Sequence, residues 1–181
     1  AIFKPRERTL TPEEIGLFFR TLDAIGAMGT MKMALKLVLI TMVRKGEFTN
    51  ATWDEIDFKK WTWTIPSDRM KGSRAHVIYL PKQAQDILVG LQMCAGGSEY
   101  LVPGRYNFRK PLSNAALNSL IDRTVKIINE DGEHIQDFTV HDMRRTASTL
   151  LHEAGYPSDW IEKALAHEQK GVRAVYNKAE Y

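Results

Sequence analysis

His141 and Arg144 stand three residues apart in the run Phe138-Thr139-Val140-His141-Asp142-Met143-Arg144-Arg145-Thr146, and His167 is followed nine residues later by Tyr176. Residues three apart on a helix project to one side, so an imidazole and a guanidinium can address one substrate group together. Two fork-shaped guanidinium groups can grip the non-bridging oxygens of a phosphodiester and offset the charge that spreads over them during transfer. Arg144, with Arg44 upstream, suits that task. Histidines move protons near neutral pH or hold a phosphate by a neutral hydrogen bond, which makes His141 and His167 candidates. A lysine on a polar hairpin, Lys71, can reach a groove and protonate a departing deoxyribose oxygen. The phenol of Tyr176 can attack phosphorus and keep one strand end as an ester, conserving bond energy for rejoining without ATP. Strand transfer on nucleic acid is the chemistry these residues suit.

The elements that must position these groups follow from local pattern. Thr11-Pro12-Glu13-Glu14 combines an N-cap, a proline at the first helical position and a carboxylate at the third, ahead of the stripe Ile15, Phe18, Phe19 and Leu22. A second helix is expected from Lys32 to Val43, ending near Arg44. Three short strands follow at Trp53 to Phe58, Trp61 to Ile65 and His76 to Leu80, with Lys71 and Gly72 in the connection between the last two. Helices return after Pro81 and at the cap Ser113, the latter using Leu117, Leu120, Ile121 and Ile128. Thr139 with Asp142 forms a capping box in which Asp replaces the usual Glu, placing His141 in a first turn. Met143, Ala147, Leu150, Leu151 and Ala154 make the stripe expected to be buried, and Gly155 with Pro157 ends that helix. Ser158 can cap a short helix through Leu165, leaving His167 just past its end, and a last helical turn from Val172 carries Tyr176. The fold class expected is α+β, mostly helical with a small three-stranded antiparallel sheet.

Composition sets the bounds. A chain of 181 residues that is 44% apolar can bury one good core but not two large domains. Residues 1–10, with Lys4, Pro5, Arg6 and Arg8, read as a linker from an absent N-terminal DNA-binding domain, and residues 11–181 as the working domain. The net charge of +3 suits a polyanionic partner without requiring one. One cysteine, Cys94, excludes an internal disulfide framework and fits a reducing compartment. The longest apolar stretch, Leu35 to Val43, contains Lys36 and is too short to span a bilayer, and no signal-peptide pattern opens the chain. A soluble, intracellular protein is expected.

Arg44-Lys45-Gly46-Glu47 ahead of Trp53-Asp54-Glu55-Ile56-Asp57, the hairpin lysine, His141-x-x-Arg144, Leu165-Ala166-His167 and Tyr176 together resemble the tyrosine recombinase, or phage integrase, family. The likeness covers nearly the whole chain in order. The wording of His141 to Thr146 and of Val175-Tyr176-Asn177-Lys178-Ala179-Glu180-Tyr181 is most similar to integrases of prophages and genomic islands of the P4 type. The resemblance implies a site-specific recombinase acting on double-stranded DNA, with Arg44, Lys71, His141, Arg144 and His167 around the nucleophile Tyr176. It further implies a 3′-phosphotyrosyl intermediate with a free 5′-hydroxyl, no metal and no nucleotide cofactor, and a tetramer of the full-length protein on paired sites. An isolated fragment of this kind is expected to be monomeric, and the protein to work at the nucleoid of a bacterial host. The family usually has glycine where Ala166 stands, and alanine is acceptable there if that residue keeps a negative φ.

Taken singly, each residue has a plainer reading. Arg44 can favour the carbonyl end of a helix, with Glu47 as its ion-pair partner, and Lys71 can be a solvated turn lysine, so its role rests on the resemblance. His141 can serve a helix end, Tyr176 can edge the core, and Tyr181 is a rival nucleophile. Three other functions share these parts: a type IB topoisomerase, a non-catalytic DNA-binding regulator, and a metal hydrolase using His141, Asp142 and His167. The last is disfavoured because Asp142 should point away from His141 and no tight ligand pair is present. For base contacts, the stretch Arg105 to Asn118 and residues near Gln136 have suitable chemistry.

Overall fold

The computed structural model describes residues 8–70 and 74–167. Thr11 opens α1 (Pro12–Ala24) as its pattern requires: its hydroxyl accepts the Glu14 N–H at 3.2 Å, while the Glu14 carboxylate accepts the Thr11 N–H at 2.9 Å. The preceding residues also pack on the fold. Leu10 is buried, its N–H donates to Thr146 Oγ1 at 2.9 Å, and Arg8 pairs with Glu14.

Helix α2 (Gly29–Thr41) starts three residues before the expected Lys32 and stops because Met42 turns left-handed, with φ 54°, returning its N–H to the Val38 carbonyl. Arg44 is then the N-cap of a short helix, α3 (Lys45–Thr49), too brief to show a helical period in the sequence. The expected first strand is a 3₁₀ turn, Trp53–Glu55, followed by the two-residue strand β1 (Ile56–Asp57). With β2 (Thr62–Ile65) and β3 (His76–Tyr79) it forms an antiparallel sheet in the order β1-β2-β3, with Ile56 opposite Trp63 and Ile65 opposite His76. Asp57 Oδ1 accepts the N–H groups of Lys59 and Lys60, each at 2.9 Å, which makes the first turn. Trp63 is fully buried and its indole N–H donates to Glu55 at 2.8 Å, so the largest side chain of the sheet leaves no polar atom unsatisfied.

Helix α4 (Lys82–Cys94) leads to a second, two-stranded sheet, β4 (Pro103–Gly104) with β5 (Asn107–Pro111), which sequence pattern does not announce. Helix α5 (Ala116–Glu130) begins three residues after Ser113, which supplies its carbonyl to the Ala116 N–H. Helix α6 (Val140–Glu153) has the expected box: the Asp142 carboxylate accepts both the N–H and the hydroxyl of Thr139 at 2.9 Å. Gly155, with φ 83°, turns the chain into α7 (Ser158–Ala164).

Phe18, Leu22, Leu35, Leu37, Leu117, Ile121 and Phe138 join the inner face of the sheet in one core, where Phe18 meets Phe138 edge-on with centroids 4.9 Å apart. Met42, Ile161 and Leu165 form a second, smaller cluster with Ala147, Leu151 and Ala164 packed against it. Of the α6 stripe, Met143 is buried, Ala147, Leu150 and Leu151 are half-buried, and Ala154 is exposed because the helix leaves the core before Gly155. The architecture is mostly helical with a small antiparallel sheet, as expected. No described helix is long and apolar enough to cross a membrane.

Candidate functional site

Arg44 follows directly from the way α2 ends. The left-handed turn at Met42 redirects the chain, and the Glu47 carboxylate then accepts the Arg44 N–H at 2.9 Å and pairs with its guanidinium at 2.7 Å. Glu47 is buried while the Arg44 side chain is about one-third exposed, so the pair aims the cation outward from a fixed base. Beside it, the Arg69 guanidinium donates to the Glu55 carboxylate and the Glu47 carbonyl, tying the stretch that leads toward Lys71 back to α3.

Arg144 reaches the same region from α6 and is only 6% exposed. Its two terminal nitrogens donate to the carbonyls of Met42 and Leu165, at the C-terminal ends of α2 and α7. Those carbonyls lack helical partners, and helix C-termini carry partial negative charge, so one buried cation completes two helix ends. Burial, and secondarily the nearby Arg44 charge, pull its pKa down to about 10, against the opposing pull of Glu47 and Glu162. Arg144 therefore remains charged at neutral pH, and Arg44 and Arg144 are two like charges that repel across a partly desolvated place. An anion between them would relieve that repulsion.

A residue that sequence reasoning passed over also belongs to this cluster. His76, at the start of β3, places Nε2 3.2 Å from the Ala164 carbonyl. A carbonyl only accepts, so Nε2 carries the hydrogen. Arg144 and His76 thus hold consecutive carbonyls, Leu165 and Ala164, at the end of α7. Burial keeps the His76 pKa below its ordinary value, opposed by Glu47 and the Ala164 carbonyl and assisted by Arg144 and Arg44. The unfolded chain takes up this proton from about pH 6.5 downward while the folded chain resists it, so stability falls as pH drops below about 6.5. His76→Gln, which keeps an N–H for Ala164 but cannot titrate, should flatten that part of a stability–pH curve from chemical denaturation. An unchanged slope would assign the acid loss elsewhere. The one sequence signal was a histidine opening an otherwise apolar strand.

The end of α7 overturns the expectation for Ala166. The Ala166 N–H returns to Lys163 and the His167 N–H to Glu162, both at 2.9 Å, and Ala166 adopts φ 50°. This is a Schellman motif with its left-handed residue at Ala166, the position that favours glycine. The Cβ costs about 1–2 kcal/mol there, partly offset by the greater freedom glycine gives the unfolded chain. Ala166→Gly is therefore expected to stabilise the fold by about 0.5–1 kcal/mol, read as a higher denaturation midpoint at constant slope. His167 follows immediately, with Nδ1 2.8 Å from Glu162 Oε2, which leaves Nε2 as the other face of the ring. Both side chains are partly exposed.

His141 lies in the first turn of α6 and is exposed, while its neighbour Asp142 is buried in the cap with Thr139 and has Arg145 3.4 Å away. Asp142 is thereby occupied away from His141, and among the described residues no group of three histidine, cysteine or carboxylate side chains could hold a metal ion. Arg44, Arg144, the α7 end and His76 come together around one place, with His141 and His167 on the elements that frame it. Lys71, Tyr176 and Tyr181 lie outside the described residues.

Comparison with known proteins gives this geometry a context. The model of the phage integrase family matches residues 8–181. The chain is 36% identical over 169 residues to the prophage integrase IntZ of Escherichia coli K12, covering 93% of this chain and 40% of that protein. It is 32% identical over 173 residues to the integrase of Enterobacteria phage P4, covering 88% and 38%. The chain thus spans about two-fifths of the length of these relatives. Among solved structures, the Tn1549 transposon integrase in complex with transposon right end DNA superposes with a TM-score of 0.76 at 17% identity, over 92% of this chain and 60% of that one. A lambda integrase dimer bound to a COC′ core site gives 0.72 at 15% identity, over 100% and 52%. Those likenesses concern the fold.

Proposed function

The chain belongs to the phage integrase family, and from that premise we propose that it is the catalytic part of a site-specific DNA recombinase that cuts and rejoins strands through Tyr176. The observation that carries this reading is the pair Arg44 and Arg144, in which the buried Arg144 guanidinium is anchored on the Met42 carbonyl, two residues before Arg44. A phosphodiester is the anion that such a pair suits, because each guanidinium can donate to a different non-bridging oxygen and the charge on both oxygens grows in the transition state.

In the proposed reaction Tyr176 Oη attacks phosphorus as the bond from phosphorus to the 5′-oxygen breaks. The phenolic proton leaves to His141 or His167 or to water beside them, and Lys71 gives a proton to the departing 5′-oxygen. The product is a 3′-phosphotyrosyl ester with a free 5′-hydroxyl, and attack by the 5′-hydroxyl of the partner strand reverses the chemistry at a new junction. One phosphoester replaces another at each step, so neither a nucleotide nor a metal is required. The full-length protein works on paired sites as a tetramer, in a bacterial cytoplasm at the nucleoid.

The test is trapping on a nicked duplex that carries a cognate core site and loses its short strand after cleavage. The expected product is a protease-sensitive adduct on a denaturing gel, with a blocked 3′ end and a 5′-hydroxyl that a polynucleotide kinase can label. DNA that is bound by the chain without any adduct would overturn the catalytic reading in favour of a DNA-binding regulator.

A further inference from the structure

Beyond its base, the β4–β5 ribbon stands exposed among the described residues. From Arg105 to Lys110 six consecutive residues are exposed, with Tyr106 at 92% and Phe108 at 56%. An isolated two-stranded ribbon is at best marginally stable, yet this one is firmly built at its base. Gly104 pairs with Asn107 across a two-residue turn, Arg105-Tyr106. The Ser98 hydroxyl donates to the Phe108 carbonyl at 2.6 Å, and the Leu112 N–H to Val102 at 3.1 Å. A Cβ on Gly104 would come within 3.2 Å of the Asn107 and Pro111 carbonyl oxygens, so the turn is tightly closed. The exposed aromatics stand on a ribbon tied to the fold at its base.

Its charge has one sign. Arg105, Arg109 and Lys110 lie among these six residues, and no carboxylate occurs between Tyr100 and Asp122. The Arg105 guanidinium lies 5.5 Å from the Tyr106 ring centroid and that of Arg109 5.8 Å from Phe108, so cations and rings form paired units. The ribbon is also joined by a short connection to an element that touches the start of α6. Helix α5 begins five residues after Pro111, and its Asn118 side chain accepts the Val140 N–H at 3.1 Å, next to His141.

We propose that the β4–β5 ribbon is a DNA-reading arm that enters a groove of the duplex beside the scissile phosphate. Arg105, Arg109 and Lys110 hold phosphates there, and Tyr106 and Phe108 lie against sugars and bases. A two-stranded ribbon fits the major groove, where aromatic rings can meet sugars, base edges and thymine methyl groups while the cations meet phosphates. Aromatic and arginine residues also suit a protein interface, but three cations with no carboxylate between Tyr100 and Asp122 favour a polyanion. The proposal rests on the reading that this chain binds duplex DNA.

The test is fluorescence anisotropy of the 181-residue chain with a labelled mixed-sequence duplex of about 30 base pairs, titrated at several salt concentrations. The triple variant Arg105→Ala, Arg109→Ala, Lys110→Ala should flatten the plot of log affinity against log salt by about 2–3, since each lost phosphate contact removes about 0.9. The double variant Tyr106→Ala, Phe108→Ala should bind about tenfold more weakly at fixed salt with its slope unchanged, since it removes apolar contact and no charge. Thermal midpoints equal to that of the parent would show that both variants fold. Parental affinity and slope in both variants would overturn the proposal while leaving DNA binding itself in place. A double variant that binds DNA normally but changes the sedimentation of the DNA-free chain would make the ribbon a protein contact, and also overturns it. A parent chain with no affinity for DNA would instead remove the functional reading beneath.

Discussion

Tyr176→Phe should abolish the covalent protein–DNA adduct and leave DNA affinity within about twofold of the parent, whereas Tyr181→Phe should form the adduct at the parental rate. The first effect is absolute because phenylalanine has no nucleophile, so no ester to phosphorus can form. Affinity should be spared because the proposed phosphate grip lies with Arg44 and Arg144, and a single phenolic hydroxyl adds little to a contact dominated by charge. The two tyrosines differ in reach: Tyr176 lies nine residues after His167 and Tyr181 fourteen. Denaturing gels of single-turnover reactions on the nicked duplex would decide between them. An adduct that survives in Tyr176→Phe and vanishes in Tyr181→Phe would move the nucleophile.

Arg144→Ala should lower the rate of adduct formation by about 10²–10³-fold or more, since the proposed reaction uses it as a fixed donor to developing charge. It should also lower folding stability, because the Met42 and Leu165 carbonyls lose their partner, at about 1–3 kcal/mol for each group left buried and unsatisfied. Arg144→Lys separates the two effects. A lysine keeps the charge but presents one ammonium where a planar fork spans two helix ends, so it cannot hold both carbonyls and a phosphate together. Single-turnover cleavage at saturating DNA, with chemical denaturation of the same variants, reads both quantities. A lysine variant as fast as the parent would show that charge alone suffices, and the bridging geometry would lose its catalytic meaning.

Features that depend on a few neighbouring residues were legible in the chain. Both capping boxes, at Thr11 and Thr139, formed as their spacing required, and the alternation from Trp61 to Ile65 became a strand whose Trp63 is fully buried. The candidate residues Arg44, His141, Arg144 and His167 could be named because their types and order are informative together. Features set by distant contacts were not legible. Helix α3 is five residues long and exists because Met42 turns left-handed and Glu47 caps Arg44. Ala166 was expected to keep a negative φ, but the Schellman closure that precedes His167 requires the opposite sign, and no local pattern signals it. The place of His76 depends on α7 lying across the edge of β3, nearly ninety residues away in sequence. The β4–β5 ribbon lacks a buried face, so it carries none of the apolar alternation by which strands are read.

The small cluster of Met42, Ile161 and Leu165 bears on how the molecule comes apart. Helix α7 is anchored by that satellite and by the two carbonyls that Arg144 and His76 hold, while the main core lies elsewhere. Segments with few buried apolar contacts open at less than the global free energy. Amide exchange should therefore find α7 detaching as its own cooperative unit, ahead of α1, α2 and α5, carrying Glu162, Ala166 and His167 with it. If His167 acts as proposed, releasing one short helix would undo the reacting geometry while the rest of the fold stays intact, and competence for chemistry would follow a local equilibrium rather than whether the domain is folded.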